Sequence, residues 1–174
     1  MGNLASPEVL IIRWNEALDD PSLQDLPYKI EINAWGKIEM SPASNRHSRL
    51  QGLLGIAFGQ QLPGGAVLPE CSILTKIGIR CPDVAWASSE FMVAFGEITP
   101  YQRAPEICVE IISPSNVKAE MDEKVGAYLA AGAREVWLVC EEGNIRYFGA
   151  SGERSNSEFF PVAVTLPPPM KDRP

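Results

Sequence analysis

Glu106-Ile107-Cys108-Val109-Glu110-Ile111-Ile112 is a nearly unbroken run of β-branched and small apolar residues, interrupted after its start only by Glu110. A short apolar run without polar alternation is the pattern of a strand buried on both faces, as at the centre of a sheet covered on each side. The residues that follow, 116–131, have helical spacing and stop at Gly132, and Glu135 to Cys140 is a second buried-strand pattern. Strand, helix, strand in that order implies a right-handed parallel crossover. The expectation is an α/β chain whose mixed β-sheet is flanked by helices, with 106–112 at its centre. Glu110 is then the residue to explain, because an unpaired ionised carboxylate in such a strand costs several kcal/mol to desolvate.

Outward from this core, Asn144 to Phe148 follows Glu135–Cys140 across Glu142-Gly143 as a hairpin. Upstream, Ser6 and Pro7 open a short helix to about Leu18 that contains Val9, Leu10, Ile12 and Ala17. Residues 28–33 and 36–40 alternate as a hairpin around Ala34-Trp35-Gly36, closed by Ser41-Pro42. Ser44 caps a helix to about Leu62, with Leu50, Leu53, Leu54, Ala57 and Phe58 on one face and Arg46 and His47 in its opening turn. Strand candidates at 65–69, 71–74 and 83–86 come next, followed by an irregular stretch to Pro105. Residues 1–166 read as one domain and the Pro-rich 167–174 as a flexible tail.

Composition narrows the function classes. The chain has 174 residues, 45% of them apolar and 21% charged, which fits one folded core and excludes disorder. Apolar runs fall far short of a membrane span, and the N-terminus has no basic segment leading into an apolar one, so a cytoplasmic location is expected. Cys71, Cys81, Cys108 and Cys140 form no CxxC pair and have no neighbouring histidines to complete a zinc site, and Cys108 and Cys140, inside apolar strand-like runs, read as small core residues. His47 is the only histidine, so any metal site must rely on carboxylates. The formal net charge of −7 opposes loose attraction to nucleic acid, although a basic patch at Arg46, His47 and Arg49 can coexist with an acidic remainder.

Two readings of each candidate residue stand side by side. Glu110 is either a strand-end glutamate exposed before Ser113-Pro114-Ser115, or a buried functional acid. Asp83, held extended after Pro82 and followed by Val84-Ala85-Trp86, is either a turn aspartate or a second acid at a strand start. Two carboxylates converging from different strands at one sheet edge would form a hard-oxygen site suited to Mg²⁺, or to Mn²⁺ in its place. Lys124 lies by helical angle with Val117, Met121, Val125 and Tyr128 and so points to the sheet; the bland alternative is an exposed pair with Glu120. His47 either faces a phosphate or the site, or is a partly buried helix-start histidine.

The blocks Ile30-Glu31-Ile32, Met40 to His47, Arg80-Cys81-Pro82-Asp83-Val84-Ala85, Val109 to Ser115, and Lys124 with Tyr128, Gly132 and Val136-Trp137-Leu138-Val139 jointly resemble the Uma two family. That family is a set of restriction-endonuclease-like proteins in the PD-(D/E)XK nuclease superfamily, and the resemblance covers nearly the whole chain. It implies a restriction-endonuclease-like fold and a metal held by Asp83, Glu110 and the backbone carbonyl of Ile111, with Glu31 as a further acid near the site. The superfamily's lysine two positions after the glutamate is Ile112 here, and the resemblance places its equivalent on the following helix as Lys124.

The leading expectation is a metal-dependent endonuclease that hydrolyses DNA phosphodiester bonds, with Glu31, Asp83, Glu110, Lys124 and His47 as its catalytic set and a homodimer as the form suited to a two-stranded substrate. The alternatives are a catalytically silent nuclease-fold binding or regulatory module, since fold alone does not fix function, and an oligomeric scaffold using Trp35 or Phe159-Phe160.

Overall fold

The computed structural model describes residues 3–114, 116–161 and 163–170, so Ser115 and the last four residues of the Pro-rich end lie outside the described chain. Ten strands and four helices follow in the order α1 Pro7–Asp19, β1 Tyr28–Asn33, β2 Ile38–Pro42, α2 Asn45–Gln61, β3 Ala66–Pro69, β4 Ile73–Thr75, β5 Gly78–Arg80, β6 Val84–Ala87, α3 Ser89–Phe95, β7 Ile107–Ile112, α4 Lys118–Ala130, β8 Glu135–Cys140, β9 Ile145–Gly149 and β10 Gly152–Arg154. Serine hydroxyls start three of the helices: Ser6, Ser44 and Ser88 accept from the backbone N–H of Val9, His47 and Phe91.

The strands divide between two sheets. A four-stranded antiparallel sheet has the order β2-β1-β5-β4, and a six-stranded mixed sheet the order β10-β9-β8-β7-β6-β3. Among the described residues the one parallel strand pair is β7 with β8, joined through α4 as the strand–helix–strand pattern requires, and β7 is an interior strand of its sheet. The chain passes from one sheet to the other through Cys81-Pro82-Asp83, between β5 and β6. That short crossing brings the two sheets together beside the middle of β7.

Alternation along β7 sorts its side chains. Ile107, Val109 and Ile111 pack with Leu50, Leu54 and Phe58 of α2 and with Trp137 of β8. Cys108 packs on the opposite face with Met121, Val125 and Tyr128 of α4. Burial on both faces is why the run lacks polar alternation, and each fully buried large apolar side chain contributes about 1.5–3 kcal/mol. A third cluster seats Leu10 and Trp14 of α1 against Ile32 and Ile79 of the smaller sheet.

Several sequence expectations need correction. Beside the expected mixed sheet stands a second, antiparallel one, and the strands β5 and β10 add to those expected, each being three residues long and too short to show a period. The stretch before Pro105 contains α3, ended by Gly96 in the left-handed region. Val9 and Ile12 face solvent, and Trp14 takes the inward position on α1. Val117 caps α4 and is exposed, so the buried face begins at Met121. Phe160 is buried beside Phe58 and Trp137, which removes it as an exposed docking residue, while Trp35 is exposed. The four cysteines are all free.

Arg46 is the correction with a functional consequence. Its guanidinium donates from Nε to the Glu141 carbonyl at 2.8 Å and from Nη2 to the Pro167 carbonyl at 2.6 Å. It ties the start of α2 to the β8–β9 turn and to the beginning of the Pro-rich end, and is no part of a free basic patch. Hydrogen bonds involving a charged group contribute about 1.5–3 kcal/mol each, net of the exchange with water. Arg46→Met is expected to lower the urea-unfolding free energy by about 2 kcal/mol with an unchanged m-value. A loss below about 0.5 kcal/mol would show that solvent replaces these bonds at no cost.

Candidate active site

Strands β6 and β7 pair antiparallel as Trp86↔Ile107, Ala85↔Cys108 and Val84↔Val109, and there the ladder ends. One further step would set Asp83 across from Glu110, and a second would set Pro82 across from Ile111. Proline has no N–H to give, so the ladder cannot continue through it. The Ile111 N–H donates instead to Asp83 Oδ2 at 2.7 Å. In an antiparallel ladder the N–H and C=O of one residue face the same neighbour, so the Ile111 carbonyl faces the Asp83 edge as well. The Pro-Asp sequence thus stops a strand pair and substitutes a carboxylate for the missing rung.

Asp83 and Glu110 are nearly inaccessible, with relative exposures of 1% and 4%. Like charges at opposing cross-strand positions repel, and two ammonium groups offset that repulsion. Lys29 Nζ, from β1, lies 2.7 Å from Asp83 Oδ1 and 3.6 Å from Glu110 Oε2. Lys124 Nζ, from α4, lies 3.3 Å from Glu110 Oε1 and 3.1 Å from Glu31 Oε2. The Tyr128 hydroxyl, one helical turn after Lys124, donates to Glu110 Oε1 at 2.7 Å. Lys124 therefore points inward, and the exposed pairing with Glu120 is not found; on the outer side of α4, Lys118 pairs with Asp122.

Glu31 completes the group from the smaller sheet. Its Oε1 accepts the Cys81 N–H at 2.8 Å, and its Oε2 lies 3.2 Å from Arg80 Nη1, so one carboxylate joins β1, the inter-sheet crossing and α4. Arg80 also pairs with Glu39, which sits across from Glu31 in the β1–β2 register. From α2, His47 Nε2 lies 3.2 Å from Asp83 Oδ1, and one turn later Gln51 donates to the Asp83 backbone carbonyl at 2.8 Å. Glu31, His47, Asp83, Glu110 and Lys124 are thereby brought together. Lys29, Tyr128, Arg80 and Gln51 had not been assigned to the site. Lys29 lies two residues from Glu31 on the same face of an alternating strand.

Lys29, Glu31, His47, Asp83, Glu110 and Lys124 line a cavity of about 820 Å³ between the β1–β2 hairpin, the start of α2 and the start of α4, with Ile111 also in its wall. Glu39, Glu70, Glu120 and Glu141 line the same space. Among the described residues no three His, Cys, Asp or Glu side chains form a ready ligand cluster. The donors are two carboxylates and one backbone carbonyl. That set fits Mg²⁺, which is bound by one or two carboxylates and keeps several waters, and the Lys29 ammonium shows that Asp83 and Glu110 do converge on one positive charge.

The two acids respond to burial in opposite ways. Burial pushes the Asp83 carboxyl up, but the His47 hydrogen bond and the Lys29 ammonium more than reverse this and bring it down to about 2. Burial raises Glu110, and repulsion from Asp83 and Glu31 adds to it; the attraction of Lys124 and Lys29 does not fully compensate. Lys29 and Lys124 are both raised, because the surrounding acids outweigh the burial that alone would lower them.

A depressed acid contributes stability that is present above its unfolded value of about 3.9 and is lost as pH falls toward the folded value of about 2. Asp83→Asn is therefore expected to be less stable by about 2 kcal/mol at pH 7, with the difference from wild type closing between about pH 4 and pH 2. A raised acid has the opposite sign, its contribution fading as pH rises through the folded value. Glu110→Gln, leaving Lys29 with Asp83 and Lys124 with Glu31, is expected to melt no lower than wild type at pH 7 in metal-free buffer. Thermal unfolding across pH 2–8 checks both; equal destabilisation of the two variants at pH 7 would contradict the assignment.

A crystal structure of a "putative nuclease belonging to DUF820" from Anabaena variabilis ATCC 29413 is similar to this fold, with a TM-score of 0.59, 20% sequence identity, and coverage of 69% of this chain and 71% of that one. No curated protein matches the sequence. The model of the Uma2 family, described as "Putative restriction endonuclease", matches residues 14–170 and so includes every residue of the site. The fold is the mixed α/β restriction-endonuclease-like one, and the chain belongs to the Uma2 family.

Proposed function

We propose that this protein is a metal-dependent endonuclease that hydrolyses DNA phosphodiester bonds, with Mg²⁺ or Mn²⁺ held by Asp83, Glu110 and the Ile111 carbonyl. The observation that carries the reading is the convergence of two buried carboxylates just past a ladder end, with a buried lysine on one of them and an open cavity beside them. A structural ion pair needs neither the cavity nor a second acid. Membership of a family described as "Putative restriction endonuclease" supports a nucleic-acid substrate.

A divalent ion in that position would supply Lewis-acid stabilisation of charge developing on a phosphodiester. The chain's own groups do the rest. Tyr128 and Lys124 fix Glu110 through the same oxygen, Oε1, leaving Oε2 directed toward Lys29. The Ile111 N–H holds Asp83 Oδ2, leaving Oδ1 turned to Lys29 and His47. Glu31 keeps Lys124 charged within reach of the acid pair, where an ammonium can stabilise an anionic transition state or orient a water. His47, at the first turn of α2, stands where a phosphate oxygen could accept from it. Cutting both strands of a duplex calls for two such sites, which a homodimer provides.

The specific observation favouring a silent binding module is the acidic lining from Glu39, Glu70, Glu120 and Glu141. Plasmid DNA incubated with purified protein decides between the two. Cleavage with Mg²⁺ or Mn²⁺ is expected, abolished by chelator and by Glu110→Gln. Lys124→Met is expected to reduce turnover by about a hundredfold or more, with metal affinity changed only a few-fold. A wild-type protein that binds the ion yet cleaves no plasmid, branched or single-stranded substrate would be a silent module.

A further inference from the structure

The strongest unused feature is Lys29. Its ammonium lies 2.7 Å from Asp83 Oδ1, an oxygen it shares with His47, and 3.6 Å from Glu110 Oε2, the oxygen that Tyr128 and Lys124 do not contact. The side chain is only 12% exposed and comes from β1, in the other sheet, so the contact spans the gap between the two sheets. Lys124 lies against the opposite oxygen of Glu110 and is held there by Glu31 and not by Asp83. The two lysines are therefore not equivalent. One belongs to the wall of the site, and the other sits between its two acids.

We propose that Lys29 is the resident counter-ion of the acid pair: its ammonium and a divalent cation exclude each other between Asp83 and Glu110, and metal loading turns Lys29 out into the cavity. This rests on the metal-dependent reading above. The exclusion follows from size and charge, since an ammonium at hydrogen-bond distance from Asp83 Oδ1 occupies the space in which a cation bound at about 2.1 Å must sit. Without metal, the carboxylates of Glu31, Asp83 and Glu110 outnumber the ammonium groups of Lys29 and Lys124 by one, Arg80 and Glu39 offsetting each other. A divalent cation reverses the sign of that balance, and the displaced ammonium stays tethered at the cavity wall, where an incoming phosphate finds a positive group that the metal-free protein does not offer. Metal occupancy then sets substrate attraction as well as chemistry, in a protein whose net charge is −7.

The test is a calorimetric Mn²⁺ titration of wild type and Lys29→Met, which keeps the length of the stem. The variant is expected to bind Mn²⁺ at least about tenfold more tightly, a change worth about 1.4 kcal/mol. Amine acylation of the wild-type protein, read by mass spectrometry, keeps the idea testable should the variant fold poorly. Mn²⁺ is expected to raise labelling of Lys29 several-fold and leave Lys124 protected. Equal or weaker Mn²⁺ binding by a folded Lys29→Met, or Lys29 labelling indifferent to Mn²⁺ at saturation, would overturn the proposal while leaving the endonuclease reading in place. Failure of both proteins to bind Mn²⁺ at millimolar concentration would overturn the two together.

Discussion

Two carboxylates brought together just past the end of the β6–β7 ladder, both almost fully buried, are the constraint around which the rest of this protein is arranged. Neither burial nor proximity favours their charged forms. The structure answers with a backbone N–H and a histidine on Asp83, a tyrosine hydroxyl and a lysine on Glu110, and a second lysine between the two. These partners come from β1, α2, β7 and α4 in addition to the inter-sheet crossing, so assembling the site and docking the two sheets are the same event. Buried ionic groups of this kind add little net stability compared with an apolar core. Their retention in the lining of an open cavity is better explained by chemistry than by folding.

Pro82 shows how one residue links sequence, pairing and site. Lacking an N–H, it bars the β6–β7 ladder from continuing past Val84↔Val109, and the Ile111 N–H is taken by the side chain of the next residue, Asp83. The same break leaves the Ile111 carbonyl facing the acid pair. Arg46 illustrates the opposite case, a cation near the cavity whose donors are committed to the carbonyls of Glu141 and Pro167. Counting basic residues near a site therefore overstates the charge it presents, and the cations that matter here are Lys29 and Lys124.

The central strand and its crossover were legible because a seven-residue run with five apolar residues and a helix ended by Gly132 are strong local signals, and Glu110 stood out against the first of them. Asp83 was legible through Pro82, and Lys124 through its angle relative to Met121 and Tyr128. What could not be read was set by tertiary pairing. The three-residue strands β5 and β10 exist only because partners stand beside them. Lys29 lies in an alternating strand whose polar face reads as solvent-exposed until the second sheet closes over it, and the Tyr128 hydroxyl reads as part of an apolar stripe until Glu110 meets it. The division of the strands into two sheets has no local signature, because the crossing at Cys81-Pro82-Asp83 looks like any extended pre-proline segment.

The central claim is that the buried acid pair is a divalent-metal site, and a crystal soaked in Mn²⁺, examined by anomalous scattering, tests it most directly. The account requires one anomalous peak between the Asp83 and Glu110 carboxylates, at about 2.1–2.2 Å from an oxygen of each, with the Ile111 carbonyl in its coordination sphere and the Lys29 ammonium displaced. A saturated crystal with no peak there, and Lys29 still between the two acids, would contradict it.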